Sequence, residues 1–403
     1  MNILLVSQHF YPDNFRINDI AKMLVEEGHR VTVLTSLPDY ATGKVPKDCR
    51  GRKNRKIEWN KVQVVRCFSV SRRSGIVFRA LNYVSFYLTS TGKALTLKDD
   101  FDIVICYQTS PVLMANAARE FARKRKIPFF VYCLDLWPES MKAWRVGERN
   151  LLFKVMHKYS KDIYNSADCI GVTSKPFIEY LNTVNGVSEN KIVYIPQHSE
   201  DMKLKPKVHT EGEPFVFSFG GNIGSVQNVE CIIEAASLLS GRNDIKIEIY
   251  GDGSELQNCK ALSKRLHTDD MITFFGRISK EELWERYENT DAFLLTLKPQ
   301  GVIGQTVPAK LQEYMSGNRP VIASIGGAAE EIINESGCGI CVPAGDSAAL
   351  AKAMADFVSD NEKYSDYGAS GREFFENNFT GKCFIDALTG TLSSMVSASE
   401  ENR

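Results

Sequence analysis

The sequence predicts an α/β protein with two doubly wound domains in series, each built on a parallel sheet that helices cover on both faces. Three observations lead to this fold class. The chain has 403 residues, more than one ordinary domain contains. Short apolar runs alternate with helical patterns along its length, as they do in proteins with buried parallel sheets. A polar, proline-bearing stretch at 196–214 interrupts this alternation, which then starts again.

In the first half, each short apolar run is interpreted as a strand. The first strand is Ile3–Val6, and a helix follows at Phe15–Glu27, after which Gly28 supplies the left-handed residue that commonly ends a helix. The other predicted strands are Arg30–Leu34, Ile103–Cys106, Phe129–Cys133, Cys169–Val172 and Lys191–Ile195. The other predicted helices are Pro111–Arg125 and Leu151–Ser166.

The second half repeats the pattern after the linker. The predicted strands are Phe215–Phe219, Ile245–Tyr250, Ile272–Phe275, Ala292–Leu295 and Pro320–Ala323. The predicted helices are Asn228–Leu239, Ser254–His267, Lys280–Tyr287 and Pro308–Ser316, and a helical tail starts near Glu362. We expect domains at 1–197 and 198–370, with a tail at 371–403 that packs on the N-terminal domain. Ligands of such sheets bind beyond the carboxyl ends of the strands, so the predicted site is the cleft between the domains.

Composition excludes several functional classes. Apolar residues make up 43% of the chain and charged residues 24%, and the net charge of zero gives no reason to expect a nucleic acid partner. The pair Cys338 and Cys341 is more simply explained by small residues bounding a strand than by a zinc site. The apolar start Met1–Val6 is interpreted as a strand rather than a signal peptide, and no run is long enough to span a membrane. We therefore expect a cytoplasmic protein with free thiols.

Two glycine-rich segments follow predicted strands. Phe219–Gly224, with the sequence Phe-Gly-Gly-Asn-Ile-Gly, closes one strand and is expected to open a helix. Glycines allow the backbone to approach a phosphate, and a helix N-terminus offers free N–H donors, although an ordinary glycine turn is the alternative. Gly251 and Gly253 follow the next strand, where they either form a turn that supports a neighbouring ligand or contact the ligand directly.

A third segment is the most informative. A glycine-bearing loop at 301–307 leads into a helix for whose first turn Pro308 is suited. Lys310 lies in that first turn, where a positive charge opposes the helix dipole and calls for an anionic partner. Glu313 is on the same helix face, and its carboxylate can accept hydrogen bonds from a vicinal diol such as ribose. The alternative is a surface Lys–Glu pair. Asn318 suits the left-handed residue that ends the helix.

The order of these motifs resembles the retaining glycosyltransferases of family 4, which have the GT-B fold of two Rossmann-like domains facing across a cleft. In the second half, the resemblance is carried by Glu313-Tyr-Met through Pro320, by Gly326-Gly327 with Glu330 and Glu331, and by Gly251-Asp-Gly253, Phe275-Gly-Arg277 and Thr290-Asp-Ala292. In the first half, Phe10–Asp19, Gly28–Thr35 and Asp135–Ser140 look like the branch that builds bacterial O-antigen and capsule, the L-fucosamine transferase type.

The resemblance implies roles for particular residues. It implies catalytic roles for Asp135, Gln305 and Lys310. It implies donor binding by Gly221, Asn222, Gly224, Gly253, Arg277, Ile278, Thr306, Val307, Lys310 and Glu313. It implies acceptor binding by Asn14, Arg16 and Asp135.

The sequence departs from the family pattern at three places. The first acid of the family's Glu-x7-Glu motif is Gln305 here, while Glu313 matches the second acid, which holds the donor ribose. The family's basic pair after the glycine loop is absent, which leaves Lys310 and Arg277 as the candidates to neutralise a diphosphate. The family's histidine before Asp135 is Leu134.

The implied reaction moves a sugar, an N-acetylated amino or deoxy sugar, from a nucleoside diphosphate to a lipid-linked glycan with retention, in O-antigen or capsule biosynthesis. We expect no cofactor and no essential metal, because the Asp100-Phe-Asp102 segment precedes a strand and is better explained as a solvated turn. An epimerase of the same architecture and a non-catalytic carbohydrate-binding protein are the alternatives. A dehydrogenase would need a complete GxGxxG motif at a strand–helix turn.

Basic residues concentrate in the first half, at Arg50–Lys56, Arg72-Arg73 and Arg79. They form either a solvated basic loop or a face that meets anionic lipid headgroups. The aromatic-rich helix expected at Ile76–Leu97 lies next to them in sequence. An acceptor carried on a polyprenyl diphosphate would account for both features, so we expect peripheral association with the inner face of the cytoplasmic membrane.

Overall fold

The computed structural model describes residues 1–40, 42–51, 53–73, 75–144, 146–298 and 306–401, and of residues 143 and 144 the backbone alone. The chain divides into two units, Met1–Pro196 with Ile385–Arg403 and Gln197–Phe384. The roles given to the predicted domains stay predictions.

The first unit contains an eight-stranded sheet with the order β3-β4-β2-β1-β5-β6-β7-β8. Its strands are β1 (Asn2–Val6), β2 (Arg30–Thr35), β3 (Lys56–Trp59), β4 (Val62–Arg66), β5 (Ile103–Gln108), β6 (Phe129–Cys133), β7 (Cys169–Val172) and β8 (Ile192–Tyr194). The central strands are buried along nearly their whole length, as expected for a sheet covered on both faces.

The helices of the first unit connect these strands. They are α1 (Arg16–Glu26), α2 (Ile76–Ala94), α3 (Ala115–Arg125), α4 (Leu151–Ser166) and α5 (Pro176–Thr183). Gly28 is left-handed with φ +81°, as predicted. Among the helices that the structure describes, none combines the length and the apolar character that crossing a bilayer requires.

A hairpin at the edge of this sheet was not predicted. β3 pairs antiparallel with β4, and Asn60 and Lys61 at the turn are left-handed with φ of 48° and 62°. Such a two-residue turn matches the twist of the flanking strands. Lys56, predicted to lie in the basic loop, is therefore the first residue of β3. Because of this hairpin, the sheet is parallel except at one edge.

The second unit contains a six-stranded parallel sheet with the order β11-β10-β9-β12-β13-β14. Its strands are β9 (Phe215–Gly220), β10 (Ile245–Tyr250), β11 (Ile272–Gly276), β12 (Ala292–Thr296), β13 (Val321–Ser324) and β14 (Gly339–Val342). Its helices are α6 (Val229–Leu238), α7 (Leu256–Arg265), α8 (Lys280–Tyr287), α9 (Ala309–Ser316), α10 (Ala328–Ser336), α11 (Ser347–Ser359) and α12 (Tyr367–Asn378), and α13 (Gly381–Glu401) continues the chain.

The predicted fold class of two doubly wound parallel sheets is confirmed. Asn318 is left-handed with φ +54° at the end of α9, as predicted. The predicted linker has no regular structure, but Met202 and Leu204 within it are buried in the core of the second unit. It therefore packs as part of that unit. Cys338 is buried beside β14 and Cys341 lies half-buried within it, in agreement with the structural interpretation of this pair.

Candidate functional site

The candidate site lies at the point where the strand order of the second sheet reverses. Its order runs outward in both directions from β9 and β12, and ligands of doubly wound sheets bind at such a switch point, beyond the carboxyl ends of the strands. The chain leaves β9 at Gly220 and β12 at Thr296. The loop after β9 and the start of α9 therefore flank the expected ligand position.

Two loops pack backbone against backbone at this point. Gly221 donates its N–H to the carbonyl of Tyr250 at 2.9 Å, and Ile223 donates to Asp252 at 2.9 Å. A Cβ on Gly251, whose φ is +127°, would overlap the carbonyl of Gly221. Only glycine satisfies both this φ and this close approach. The glycines of the loop after β10 therefore fix the shape of the loop after β9.

Gly253 has the same role as Gly251. A Cβ on Gly253 would overlap the carbonyl of Ile223, which also accepts an N–H from Glu255 at 2.9 Å. These contacts are those expected of a supporting turn, and direct contact of the Gly251–Gly253 motif with a ligand stays a prediction.

An open pocket of about 340 Å³ lies beside these loops. Its lining consists of Gly221, Asn222, Tyr250, Gly251, Asp252, Arg277, Ile278 and Leu283. The structure thus brings together four of the residues predicted to bind the donor. Arg277 is exposed there and makes no hydrogen bond or ion pair with any residue that the structure describes.

The loop after β9 leads into α6 close to the predicted position. The helix was predicted to start at Asn228, and α6 begins at Val229 after a left-handed Asn228 with φ +52°. Within the loop, the side chain of Asn222 donates to the side-chain oxygen of Gln227 at 3.0 Å. A Cβ on Gly224 would lie 2.7 Å from that amide nitrogen, so Gly224 leaves room for the bridge.

Lys310 lies in the first turn of α9. Its Nζ atom is buried, has no hydrogen-bond partner among the described residues and lies 3.7 Å from the ring centroid of Phe219. Its Cε packs so closely on Gly221 that a Cβ there would lie 2.5 Å away. Burial lowers the pKa of Lys310 to about 7, and the negative charge of Glu313 opposes this shift. Such a site favours an anionic ligand that restores the charged form.

Glu313 faces the same region from the next turn of α9. It forms no ion pair with Lys310 within 4.0 Å among the described residues, so the alternative of a simple surface Lys–Glu pair is not observed. Trp284 donates its indole N–H to the Glu313 carboxylate at 3.4 Å. Within the described ranges, the second carboxylate oxygen has no such partner and can accept from a ligand hydroxyl.

Two tyrosines that sequence reasoning missed hold the end of β9. Tyr314 accepts the N–H of Gly220 at 2.9 Å, and its ring stacks on Phe293 at 4.2 Å. The hydroxyl of Tyr287 occupies the position that a Cβ on Gly220 would take. The aromatic residue within the Glu313-Tyr-Met motif was the available signal for Tyr314.

Thr306 and Val307, predicted to bind the donor, and Gln305, predicted to be catalytic, belong to the segment before α9. Thr306 and Val307 precede α9, and Val307 packs against the core of the second unit. Gln305 lies outside the described residues, together with 299–304.

In the first unit, Asp135 follows β6 at the carboxyl end of the sheet. Its two carboxylate oxygens accept hydrogen bonds from the hydroxyls of Ser110 and Ser140. Trp137 donates to Ser110 at 2.7 Å and extends the network. Burial raises the pKa of Asp135, and the hydrogen bonds from the two serines act in the opposite direction.

The predicted acceptor residues Asn14 and Arg16 lie after the neighbouring β1. Asn14 is exposed, and Arg16 is the first residue of α1. Asp102, by contrast, lies at the amino ends of the strands, directly before β5, where its carboxylate accepts the N–H of Asn2 at 2.6 Å. This contact supports the interpretation of Asp100-Phe-Asp102 as a structural turn. Among the described ranges, no group of three His, Cys, Asp or Glu side chains is arranged to hold a metal ion.

A polar cluster beyond β1 and β2 was also missed. The ring of His9 stacks on Phe15 at 5.2 Å, and burial together with the charge of Arg72 lowers the pKa of His9 to about 3. Burial raises the pKa of Asp39 to about 6, while the backbone N–H of Arg72 donates to its carboxylate at 2.7 Å. The polar run that starts directly after β1, with His9 at its end, was the available signal.

Known proteins match this chain over most of its length. The family model for the glycosyl transferase 4-like domain matches residues 14–198, and the model for glycosyl transferases group 1 matches residues 201–374. A probable glycosyltransferase of Pseudomonas aeruginosa, WbjE, is 25% identical over an alignment of 281 positions that covers 66% of this chain and 68% of that protein. The O-antigen chain mannosyltransferase C of Escherichia coli is 22% identical over an alignment of 413 positions, gaps included, that covers 98% of this chain and 99% of that protein.

Solved structures show the same fold. A sucrose-phosphate synthase from Thermosynechococcus elongatus superposes with a TM-score of 0.73 at 19% identity, over 98% of this chain and 99% of that one. HepE of Anabaena, solved in complex with UDP, superposes with a TM-score of 0.71 at 14% identity, over 98% and 100% of the two chains. The fold is therefore GT-B.

The two doubly wound sheets and these matches define a glycosyltransferase. The chain belongs to the GT-B glycosyltransferases of family 4, as the resemblance predicted. The L-fucosamine branch and the retention of configuration stay predictions.

Proposed function

We propose that this protein transfers a sugar from a nucleoside diphosphate to a hydroxyl of a growing glycan, with the donor site at the switch point of the second sheet. The observation that carries this proposal is Lys310, whose buried ammonium has no hydrogen-bond or ion-pair partner in the described part of the chain and lies against the glycine loop after β9. A buried cation without a counter-charge destabilises a protein unless a ligand supplies one. A diphosphate beside Gly221 is such a ligand.

The other residues are assigned around this anion. Arg277 neutralises the second phosphate from the rim of the pocket, and Glu313 accepts the ribose hydroxyls. Ile278 supplies an apolar surface for the base. The backbone of Gly221 and the side chain of Asn222 approach the phosphates from the side of β9.

The sugar end of the donor is assigned to the segment before α9. Gln305 contacts the transferred sugar as a neutral hydrogen-bonding partner, and Thr306 and Val307 lead from it to Lys310. Negative charge develops on the leaving diphosphate as the bond to the anomeric carbon breaks, and Lys310 stabilises that charge. The anomeric configuration is retained in this proposal, and no metal takes part.

The first unit supplies the acceptor side. Asn14, Arg16 and Asp135 are proposed to orient the acceptor hydroxyl, which gains rate by proximity to the anomeric carbon. The acceptor is proposed to be a saccharide on a polyprenyl diphosphate, at the inner face of the cytoplasmic membrane, in O-antigen or capsule synthesis. The relatives named above support the polysaccharide pathway: one is an O-antigen mannosyltransferase, and a further relative, 24% identical over 294 residues, is a lipopolysaccharide 1,6-galactosyltransferase.

The donor is tested with a panel of uridine, deoxythymidine and guanosine diphosphate sugars. Donors that bind raise the unfolding temperature by mass action, and an N-acetylated amino or deoxy sugar on UDP is expected to give the largest shift. Transfer is then measured with a synthetic polyprenyl-diphosphate saccharide. A donor sugar that changes configuration without acceptor would identify an epimerase instead. Binding of glycans without any nucleotide would identify a carbohydrate-binding protein.

A further inference from the structure

The first turns of α2 project from the first unit with apolar side chains exposed. All residues from Gly75 to Leu81 are exposed, and the exposed fractions of Val77 and Leu88 are 65% and 61%. Val77, Leu81, Val84 and Leu88 are spaced to form one stripe along the helix. The opposite side of α2 is the one that packs on the unit, through residues such as Phe86. The stripe therefore has no partner within the described chain.

The start of α4 has the same property. Leu151 is 76% exposed, and Val155 one turn later is also exposed, whereas Phe153 faces the core. The two helices meet further along, where the rings of Tyr87 and Tyr159 lie 6.4 Å apart. Both helices follow strands that run parallel in the same sheet, so both begin at its carboxyl edge. The exposed residues of the two helices therefore share one end of the unit.

We infer that this apolar face, defined by Val77, Leu81, Val84, Leu88, Leu151 and Val155, inserts into the headgroup and upper acyl region of an anionic membrane. The inference deepens the proposed function and rests on it, because it names the surface through which the enzyme reaches a lipid-linked acceptor.

The charges near the apolar face favour an anionic membrane as its binding partner over a second copy of the chain. α2 contains no acidic residue, and the first acidic residue of α4 is Asp162 near its end. Lys154 on α4 lies beside the exposed Leu151 and Val155. Arg79 is exposed in the first turn of α2, on the side of that helix opposite the stripe.

Glu148, just before α4, forms an ion pair at 2.8 Å with Lys142, which it shares with Glu139. Apolar side chains rimmed by cations bind anionic lipid, whereas a second copy of the face would bring like charges together.

The position of the face has a consequence for the acceptor. Asp135 follows β6 at the same carboxyl edge from which α4 begins. Insertion of the face would hold that edge against the headgroups, where the diphosphate and first sugars of a polyprenyl-linked acceptor lie. The apolar face would then keep the enzyme at the membrane surface, where it meets its lipid-linked acceptor by diffusion in the plane of the membrane.

The inference is tested by flotation of the full chain with vesicles. The vesicles contain phosphatidylglycerol in phosphatidylethanolamine, with phosphatidylcholine vesicles as the neutral comparison. The test variant is Val77→Ser/Leu81→Ser/Leu88→Ser. The matched control is Val208→Ser/Leu238→Ser in the second unit, where the replaced side chains are 88% and 60% exposed. All of these positions are exposed, so the fold should be unaffected, which circular dichroism checks.

We expect the parent chain and the control to float with anionic vesicles and to keep part of that binding at about 0.5 M salt, where surface charges are screened. The triple variant should lose roughly tenfold or more in vesicle partitioning, because each buried methylene contributes to binding. Equal partitioning of the triple variant and the parent would overturn the inference. A parent dimer that the triple variant converts to a monomer, without vesicle binding by either, would assign the face to self-association and also overturn it.

A second measurement separates this inference from the proposed function. Transfer to a short-chain, water-soluble acceptor should proceed at the same rate in the triple variant and the parent. If the parent transfers no sugar to any acceptor, the proposed function fails while the vesicle result stands. If transfer occurs but vesicle binding does not depend on the face, only the present inference fails.

Discussion

The loops that follow the carboxyl ends of the strands are held by different kinds of contact in the two units. In the second unit, the loops after β9 and β10 hold each other through backbone hydrogen bonds and glycines, and Lys310 beside them has no hydrogen-bond partner among the described residues. In the first unit, polar side chains hold one another, as Asp135 is held by Ser110 and Ser140. The backbone frame, which is the pair of loops after β9 and β10, suits a fixed anionic ligand beside a buried cation. The side-chain network holds the Asp135 carboxylate in one orientation, as the contact proposed with an acceptor hydroxyl requires.

The largest expected effect comes from breaking the backbone frame. Gly251→Ala places a Cβ on the carbonyl of Gly221 at a φ of +127°, so the loop after β9 must move. We expect the free energy of unfolding to fall by about 3 kcal/mol and nucleotide binding to be lost. Gly241→Ala is the control, because Gly241 has φ +87° and open space around it. Denaturant unfolding of the two variants separates the steric overlap at Gly251 from the cost of a positive φ. Equal losses of unfolding free energy in the two variants would show that the close contact between Gly251 and Gly221 does not hold the loop after β9.

The next largest effect is expected from substitution of Lys310. Lys310→Met should weaken binding of a nucleoside diphosphate by about 1.5–3 kcal/mol, the range for a charged hydrogen bond, and binding of the monophosphate much less. The same change removes a buried charge without a partner, so the ligand-free protein should become more stable by about 1 kcal/mol. Calorimetric titration and thermal unfolding measure the two effects. Lys264→Met, at an exposed position of α7, is the control. A loss of stability together with unchanged affinity would remove Lys310 from the site.

The pH dependence follows from the same group. Burial lowers the pKa of Lys310 to about 7, and a bound diphosphate raises it again, so donor binding takes up a proton above pH 7. Nucleotide affinity should be constant below pH 7 and fall by up to about tenfold for each pH unit above it, until the pKa of the complex is reached.

The ligand-free protein should show the opposite trend. Between pH 7 and the ordinary pKa of lysine, the unfolded chain binds the proton and the folded chain does not, so this group adds stability as the pH rises. Both slopes should vanish in Lys310→Met. A nucleotide affinity that stays flat from pH 7 to pH 9 in the parent would show that the ammonium does not meet the phosphates.

A smaller effect is expected in the first unit. Ser140→Ala leaves one oxygen of the Asp135 carboxylate without its hydroxyl donor. The free energy of unfolding should fall by about 1 kcal/mol, the net value of one such hydrogen bond, while nucleotide affinity stays unchanged. Ser240→Ala, at an exposed position of the second unit, should have no effect on either quantity. A change in nucleotide affinity in Ser140→Ala would show that the Asp135 network of the first unit influences the nucleotide site of the second. The two sites would then not be independent.

Periodicity and turn residues predicted most of the fold. The strands of both sheets were predicted because buried parallel strands are apolar on both faces, as in Ile103–Gln108. The hairpin of β3 and β4 was missed because β3 alternates charged and apolar residues and begins at the last residue of the basic run Arg50–Lys56. Such an edge strand is exposed on one side, so its composition resembles that of a loop.

The candidate site was predictable only in part. The residue types of Lys310 and Glu313 and their place on one helix face followed from spacing. The lack of a partner for Lys310 did not, because hydrogen-bond satisfaction depends on what tertiary packing brings near, here Gly221 and the ring of Phe219. The supporting turn at Gly251 and Gly253 was one of two interpretations of the sequence, but the loop that it supports could not be identified from local pattern. Donor binding by Gly253 stays a prediction.

The smallest expected effect sharpens the role of Glu313. Trp284 donates its indole N–H to the Glu313 carboxylate at 3.4 Å, a long hydrogen bond that orients the carboxylate without saturating it. Trp284→Phe keeps an aromatic ring beside Lys280 and removes only this donor. Nucleoside diphosphate affinity should therefore fall two- to fivefold, which corresponds to about 0.5–1 kcal/mol.

The control for Trp284→Phe is the same substitution in the other unit. Trp59→Phe changes an indole that stacks on Tyr11 at 4.8 Å in the first unit and should leave nucleotide affinity unchanged. Calorimetric titration with the nucleoside diphosphate alone measures both variants without any contribution from the sugar. A rise in affinity in Trp284→Phe would mean that the indole competes with the ribose for the carboxylate. In that case a side-chain hydrogen bond would occupy the Glu313 carboxylate in the second unit, as side-chain hydrogen bonds occupy the Asp135 carboxylate in the first. The sites of the two units would then differ less than the backbone contacts of the second unit indicate.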